Sequence, residues 1–182
     1  MADQNDDPTA SRPQILFVCT ANICRSPAAE TIARDRFGEA RFRFRSAGFL
    51  EHGRPFEPDM AKAVAKLGVA VPGDHRSAVI DADLLASSAL ILTMEARHVQ
   101  NIVIEDERAF ERVLPLKEAV ELIERRGING LDGLLAAMVD RDPMRYLDRQ
   151  WDVDDPYKRG RRHYKRSAAE IQELIGKAIG AL

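Results

Sequence analysis

A short segment near the start of the chain, residues 19–26, constrains the fold more than any other feature. It reads Cys-Thr-Ala-Asn-Ile-Cys-Arg-Ser, follows the apolar run at residues 15–18, and precedes Pro27, which suits the first turn of a helix. A buried strand therefore turns directly into a helix here. Backbone amides in such a turn point toward a common centre, and the helix start adds partial positive charge. The segment predicts a loop that binds a phosphate dianion.

Two side chains of this loop suggest chemistry as well as binding. The planar fork of Arg25 can grip two phosphate oxygens at once. Positive charge of this kind favours a thiolate over a thiol, so we expect Cys19 to be nucleophilic at neutral pH. Ser26 is placed to cap the helix and to donate a hydrogen bond to the thiolate. The alternative is a buried strand-end cysteine beside a surface arginine, but the sequence of strand, Cys-x5-Arg-Ser, proline and helix argues against it.

Apolar periodicity alternates between strands and helices along the rest of the chain. It predicts strands at 14–19, 42–46, 89–94 and 113–116, and helices at 26–38, 57–67, 81–87, around 99–103, 117–125 and 162–181. This order indicates a single α/β domain with a four-stranded parallel sheet, helices on both faces and the phosphate loop between the first strand and the first helix. Ligands of such sheets bind at the carboxyl ends of the strands, where Cys19 lies.

Composition excludes several classes of protein. The chain has 27 Lys and Arg against 29 Asp and Glu, so no basic field suggests nucleic acid. No segment is apolar enough to span a membrane, and the polar, acidic residues 1–13 predict a disordered tail rather than a signal peptide. The two cysteines share one loop and form no disulfide framework, which favours the cytoplasm, with export without a signal as the alternative. The histidines show no zinc spacing, so neither a metal nor a cofactor is predicted.

Three motifs resemble a known family. Residues 18–30, Val-Cys-Thr-Ala-Asn-Ile-Cys-Arg-Ser-Pro-Ala-Ala-Glu, resemble the signature of the low-molecular-weight protein tyrosine phosphatases. Residues 46–48, Ser-Ala-Gly, are similar to the second marker of that family, and residues 155–157, Asp-Pro-Tyr, to its general-acid loop. The resemblance runs from Ile15 to the C-terminus. It implies an enzyme that acts on a phosphotyrosine protein or peptide through a phosphocysteine intermediate and releases inorganic phosphate, with Cys19 as nucleophile, Arg25 binding phosphate and Asp155 as general acid and base.

The resemblance also implies roles for the residues around the loop. Substrate would contact residues of the loop, of the segment after Gly48 and of the acid loop: Thr20, Ala21, Asn22, Ile23, Cys24, Ser26, Phe49 and Tyr157. The shape of the loop would be supported by Asn22, Ser46 and His75. Asp152 and Asp154 compete with Asp155 for the acid role. Tyr157 is either a wall against the substrate ring or a surface tyrosine.

Three features depart from the family pattern. Ala21 stands where glycine is usual, so it should have a negative φ or be strained. Phe49 is expected to wall the pocket in place of the family's tryptophan or tyrosine. Residues 126–151 form a long extra segment in which the helical spacing of Leu131, Leu134, Leu135, Met138 and Val139 predicts an additional helix. Packing is its expected role, and a lid or docking surface is the alternative.

Other functions of the same loop remain open. An arsenate reductase would need resolving cysteines downstream, and none follows Cys24. A phosphoarginine phosphatase resembling this chain would carry threonine at the position of Ile23. A non-catalytic phosphate-binding module would need no acid such as Asp155.

Two further features have two readings each. Cys24 either packs its thiol against the first helix or makes the enzyme redox-sensitive by forming a disulfide with an oxidised Cys19. The basic run at residues 158–163 is either a solvated helix start or a surface that attracts an acidic phosphopeptide or a phospholipid.

Overall fold

Four parallel strands form the centre of the structure. They are β1 (Gln14–Val18), β2 (Arg43–Ala47), β3 (Ser88–Thr93) and β4 (Val113–Pro115), in the sheet order β2-β1-β3-β4. The computed structural model describes residues 12–182. The predicted tail at 1–13 therefore lies outside the described residues except at its end, where the Pro13 carbonyl accepts a hydrogen bond from the Arg43 amide.

Helices cover both faces of this sheet. They are α1 (Arg25–Phe37), α2 (Pro58–Ala65), α3 (Ala82–Ala86), α4 (Ala96–Glu105), α5 (Leu116–Arg126), α6 (Leu131–Met138) and α7 (Arg161–Ala181), with 3₁₀ turns at Glu107–Glu111 and Pro143–Leu147. Alternate strand residues enter different cores: Ile15 and Phe17 pack with α1, α2, α5, α6 and α7, whereas Leu16 and Val18 pack with α3 and α4. The predicted single-domain α/β fold with a four-stranded parallel sheet is confirmed.

Local expectations fail at two helix ends. The helical spacing of Ala29, Ile32, Ala33 and Phe37 predicts that they share one face of α1, but Phe37 lies in the last turn, next to Gly38, and is 37% exposed, whereas the other three are buried. In the extra segment, α6 buries Leu134 and Met138, whereas Val139 falls beyond the helix end and is 72% exposed. Both residues therefore lie at a helix end and outside the buried face of the helix.

In the described part of the chain, no helix combines the length and apolarity needed to cross a membrane.

Candidate active site

The loop between β1 and α1 surrounds a small cavity at the carboxyl end of the sheet. The cavity has a volume of about 120 Å³ and is lined by residues of this loop, of the segment after β2 and of the segment before α7: Cys19, Thr20, Ala21, Ile23, Cys24, Arg25, Leu50, Arg54, Asp155 and Tyr157. Cys19 is 2% exposed. The Ser26 hydroxyl lies 3.0 Å from its Sγ and donates to it. A hydroxyl donor at this distance stabilises negative charge on the sulfur.

Asn22 holds the loop in shape from behind. Its backbone is left-handed, with φ at 51°, a conformation that asparagine tolerates better than most residues. Its Nδ2 donates to Ser26 Oγ (3.0 Å) and Ser46 Oγ (2.8 Å), and its Oδ1 accepts from the Ala78 amide (2.8 Å). His75 Nε2 lies 2.9 Å from the Asn22 carbonyl oxygen. The structure thus brings together the three residues expected to support the loop, Asn22, Ser46 and His75. Within residues 12–182, only Asn22 and Lys158 among non-glycine residues have a positive φ, so Ala21 has the negative φ expected of it.

Gly48 packs directly beneath the loop. A Cβ built on it would lie 2.7 Å from the Asn22 nitrogen, 2.9 Å from the Ala21 carbonyl carbon and 3.0 Å from the Cys19 oxygen. All three atoms are backbone, so none can swing aside. The third position of the Ser-Ala-Gly motif therefore requires glycine because of close approach.

Arg25 is the largest fully buried side chain of the site. Its Nη1 contacts the Val153 carbonyl (2.9 Å) and Glu95 Oε1 (2.6 Å), and its Nη2 contacts Asp155 Oδ2 (2.9 Å). Burial alone would lower the pKa of Arg25, but the negative charges of Cys19, Asp155 and Glu95 raise it above its usual range. Its Nε is buried and has no acceptor among the described residues. This donor is available to a phosphate oxygen beside Cys19.

Glu95 was not among the residues predicted from the sequence. It lies two residues after β3, is 8% exposed and bridges Arg25 to Arg97, whose Nε lies 2.5 Å from Glu95 Oε2. Burial pushes the pKa of Glu95 up, but the opposing charge of Arg25 is among the effects that hold it below the ordinary value. Its carboxylate therefore fixes the guanidinium. Its place beside Cys19 follows from the strand order of the structure, in which β3 is the neighbour of β1.

His98 was missed as well. It is 1% exposed, lies 3.1 Å from Thr20 Oγ1 through Nε2, and packs against Phe49 with the ring centres 5.4 Å apart. Burial lowers the pKa of His98 to about 3, against the pull of Glu95. The imidazole is therefore neutral in the folded protein at neutral and mildly acidic pH.

A buried neutral histidine makes stability depend on pH. Between its ordinary pKa of 6.5 and its folded value of about 3, His98 takes up a proton only after unfolding, so stability falls as pH falls. Lowering the pH from 7 to 5 should therefore lower the free energy of unfolding of the parent by about 2 kcal/mol more than that of His98→Gln. Urea unfolding at both pH values measures the difference. His52→Gln, which changes an exposed histidine, should show the same loss of unfolding free energy between pH 7 and pH 5 as the parent. An equal loss in the parent and in His98→Gln would refute this role of His98.

The three aspartates before α7 are placed differently. Asp152 Oδ1 accepts from the Ala96 amide at the start of α4 (2.8 Å), and the Asp154 carboxylate binds Arg159 and Arg166, each at 2.6 Å. Asp155 alone lines the cavity and contacts Arg25. Of the three candidates for the acid role, Asp155 is the one next to the loop.

The rim of the cavity differs in one position from the expectation. Tyr157 lines the cavity and is 38% exposed, as a wall residue would be. Phe49 lies beside the cavity rather than on its lining, because its ring packs on His98 and its amide donates to the Thr20 carbonyl. Leu50, which is 48% exposed, occupies the lining instead.

Comparisons with known proteins find matches over most of the chain. Residues 14–132 match the family described as low molecular weight phosphotyrosine protein phosphatase. Over 165 residues the chain is 30% identical to the protein-arginine-phosphatase of Bacillus subtilis (strain 168). The match covers 88% of this chain and 91% of that protein. A solved low molecular weight protein tyrosine phosphatase from T. tengcongensis is 28% identical, with a TM-score of 0.71, and the match covers 93% of this chain and 99% of that one.

Two further relatives match over a shorter stretch. A low molecular weight protein-tyrosine-phosphatase of Escherichia coli (strain K12) is 34% identical over 89 residues, or 48% of this chain. An arsenate reductase of Bacillus licheniformis is 34% identical over 84 residues, or 46% of this chain. The match spans 58% of each of these two proteins.

Proposed function

Because the chain belongs to the low molecular weight phosphotyrosine protein phosphatase family, we propose that it hydrolyses phosphotyrosine in proteins or peptides through a phosphocysteine intermediate. The observation that carries this proposal is the convergence of Cys19, Arg25 and Asp155 on one cavity. A module that only binds phosphate would need no acid such as Asp155. In an enzyme, Asp155 can give a proton to the leaving group.

In the first step, the Cys19 thiolate attacks phosphorus and the bond from phosphorus to the tyrosyl oxygen breaks. Asp155 gives its proton to that oxygen, so tyrosine leaves as the neutral phenol. The phosphate dianion adds negative charge beside Asp155 and competes with it for Arg25. Arg25 and the loop amides stabilise the charge on the transferring oxygens.

In the second step, water attacks the phosphocysteine. The Asp155 carboxylate accepts a proton from this water, the bond from phosphorus to sulfur breaks, and Cys19 returns to the thiolate. Inorganic phosphate is the product. Ser26, at 3.0 Å from the sulfur, stabilises the thiolate as it leaves.

Phosphoarginine is the second candidate substrate. It is favoured by the similarity to the protein-arginine-phosphatase over nearly its whole length. Phosphotyrosine is preferred because Ile23, on the cavity lining, offers an apolar contact to a flat ring. Arsenate reduction finds less support, because no cysteine occurs among residues 25–182 to carry a disulfide away from Cys19.

The test is an assay on matched peptides that carry phosphotyrosine, phosphoserine or phosphoarginine, with a chelator present. We expect phosphotyrosine to give the highest kcat/KM and the chelator to leave it unchanged. Hydrolysis of phosphoarginine in preference to phosphotyrosine would replace the first candidate by the second. Loss of activity with the chelator would contradict the thiolate mechanism.

Redox sensitivity through Cys24 is a further part of the proposal. Both cysteines are buried and form no disulfide in the structure. We propose a cytoplasmic location, where thiols are kept reduced. Burial, followed by the negative charge of Cys19, raises the pKa of Cys24 well above that of an ordinary thiol. If peroxide converts Cys19 to a sulfenic acid, Cys24 must lose its proton to attack that sulfur; the disulfide forms as the bond from sulfur to oxygen breaks, and the hydroxyl leaves with that proton as water.

We therefore expect mild peroxide to inactivate the enzyme reversibly, with a Cys19–Cys24 disulfide visible by mass spectrometry. Cys24→Ser should be inactivated too but should fail to recover with a reductant, because nothing protects the sulfenic acid from further oxidation. Full recovery of this variant would show that Cys24 is not a resolving residue.

A further inference from the structure

Two cations at the mouth of the cavity, Arg54 and Lys158, have no acidic partner in the described part of the chain. Arg54 lines the cavity, and its Nη2 lies 3.4 Å from the Tyr157 hydroxyl. The Lys158 ammonium lies over the ring of Tyr157, 5.3 Å from its centre. Within residues 12–182, no carboxylate oxygen lies within 4.0 Å of either side chain's charged nitrogens. Tyr157 therefore carries one positive charge at its hydroxyl and another on its face.

The neighbouring cations, by contrast, each contact a carboxylate. Asp154 binds both Arg159 and Arg166, and Glu95 binds Arg97. Within the cavity, Arg25 is balanced by its two carboxylates. Arg54 and Lys158 are thus the cations at the mouth that contact no carboxylate among residues 12–182.

The position of Lys158 is fixed by its backbone. Its φ is 60°, a left-handed conformation that is unfavourable for a non-glycine residue. Its amide donates to the hydroxyl of Tyr164 at 3.1 Å, and Tyr164 is 3% exposed. A buried tyrosine on α7 therefore holds this residue at the rim while its ammonium stays exposed.

We propose that Arg54 and Lys158 select phosphotyrosine substrates that carry Asp or Glu next to the phosphotyrosine. This inference rests on the proposed function. A cavity of about 120 Å³ admits the phosphorylated ring but leaves the flanking residues on the rim. In an extended peptide these residues follow at roughly 3.3 Å each, within reach of two long cationic side chains. A flanking carboxylate is attracted there, and a flanking lysine is repelled.

A peptide fits these observations better than a membrane surface. Arg54 is only partly exposed and lies on the wall of a concave site, where a flat bilayer cannot reach it. The guanidinium fork also suits a single carboxylate, which it can bind through two hydrogen bonds.

The experiment compares three phosphotyrosine peptides of equal length whose flanking residues are acidic, neutral or basic. For the parent, we expect kcat/KM on the acidic peptide to exceed that on the neutral one about fivefold, and the ratio to fall toward one in high salt. Arg54→Gln and Lys158→Gln should each lower this ratio, and the double variant should bring it close to one. Arg36→Gln, at the far end of α1, and Lys66→Gln, just after α2, remove equivalent exposed charges and should keep the parent's ratio.

The outcomes separate the inference from the function beneath it. If the neutral phosphotyrosine peptide is hydrolysed but the acidic one is not preferred, the inference is wrong and the function stands. If no phosphotyrosine peptide is hydrolysed, both are wrong. If the two variants instead lose binding to phosphatidylserine vesicles and keep the peptide ratio, the cations serve a membrane surface and the peptide proposal is overturned.

Discussion

Replacing Cys19 by serine is expected to abolish turnover while phosphate and vanadate still bind. The serine hydroxyl is a poor nucleophile without a base, and the adjacent Ser26 hydroxyl is a donor to this position rather than an acceptor of its proton. Turnover should fall by at least about 10⁴-fold. Binding should survive because the loop amides and Arg25 remain in place. Steady-state assays on a phosphotyrosine peptide and calorimetric titration with phosphate measure the two effects.

The titration serves as the control for folding. A variant that binds phosphate with the parent's affinity but does not turn over has kept its loop and lost its nucleophile. If Cys19→Ser turned over nearly as fast as the parent, the covalent mechanism through Cys19 would be wrong.

Removing the acid should give the second largest effect. Asp155→Asn keeps the size of the side chain but cannot donate a proton, so kcat on phosphotyrosine should fall by about 10²–10⁴. Nitrophenyl phosphate, whose leaving group needs no proton, should lose less. The comparison between the two substrates identifies proton donation, because a variant that only misplaces Arg25 would slow both equally.

Asp154→Asn is the matched control. Asp154 is adjacent in sequence, but its carboxylate is bound to Arg159 and Arg166 and does not line the cavity. Its replacement should leave both substrates near the parent's rates. A larger loss from Asp154→Asn than from Asp155→Asn would move the acid role to that residue.

Much of the site could be predicted because its determinants are local. The strand, the loop and the helix around Cys19 and Arg25 are contiguous, and local sequence is enough to specify a strand-to-helix turn. The parallel sheet followed from the alternation of elements, which leaves few topologies. The strand and helix boundaries lay within a few residues of those observed.

What escaped prediction depends on packing between distant segments. Glu95 and His98 carry no motif of their own, and their roles arise only because β3 lies beside β1. Phe49 was expected on the cavity wall, but its ring packs against the buried ring of His98 instead. The exposure of Val139 depends on where α6 ends, and helix ends are the least certain part of any periodic pattern.

Because Gly48 packs against the loop between β1 and α1, that loop can take its final shape only when the chain is completely folded. The loop is confined between the segment that follows β2 and the hydrogen bonds from His75 and Ala78, so three separate stretches of chain must dock before the amides converge. Once docked, the cradle requires little rearrangement when an anion arrives. The ordering cost falls on folding rather than on each binding event, and a partly folded chain would have Cys19 without the surroundings that the proposed mechanism requires.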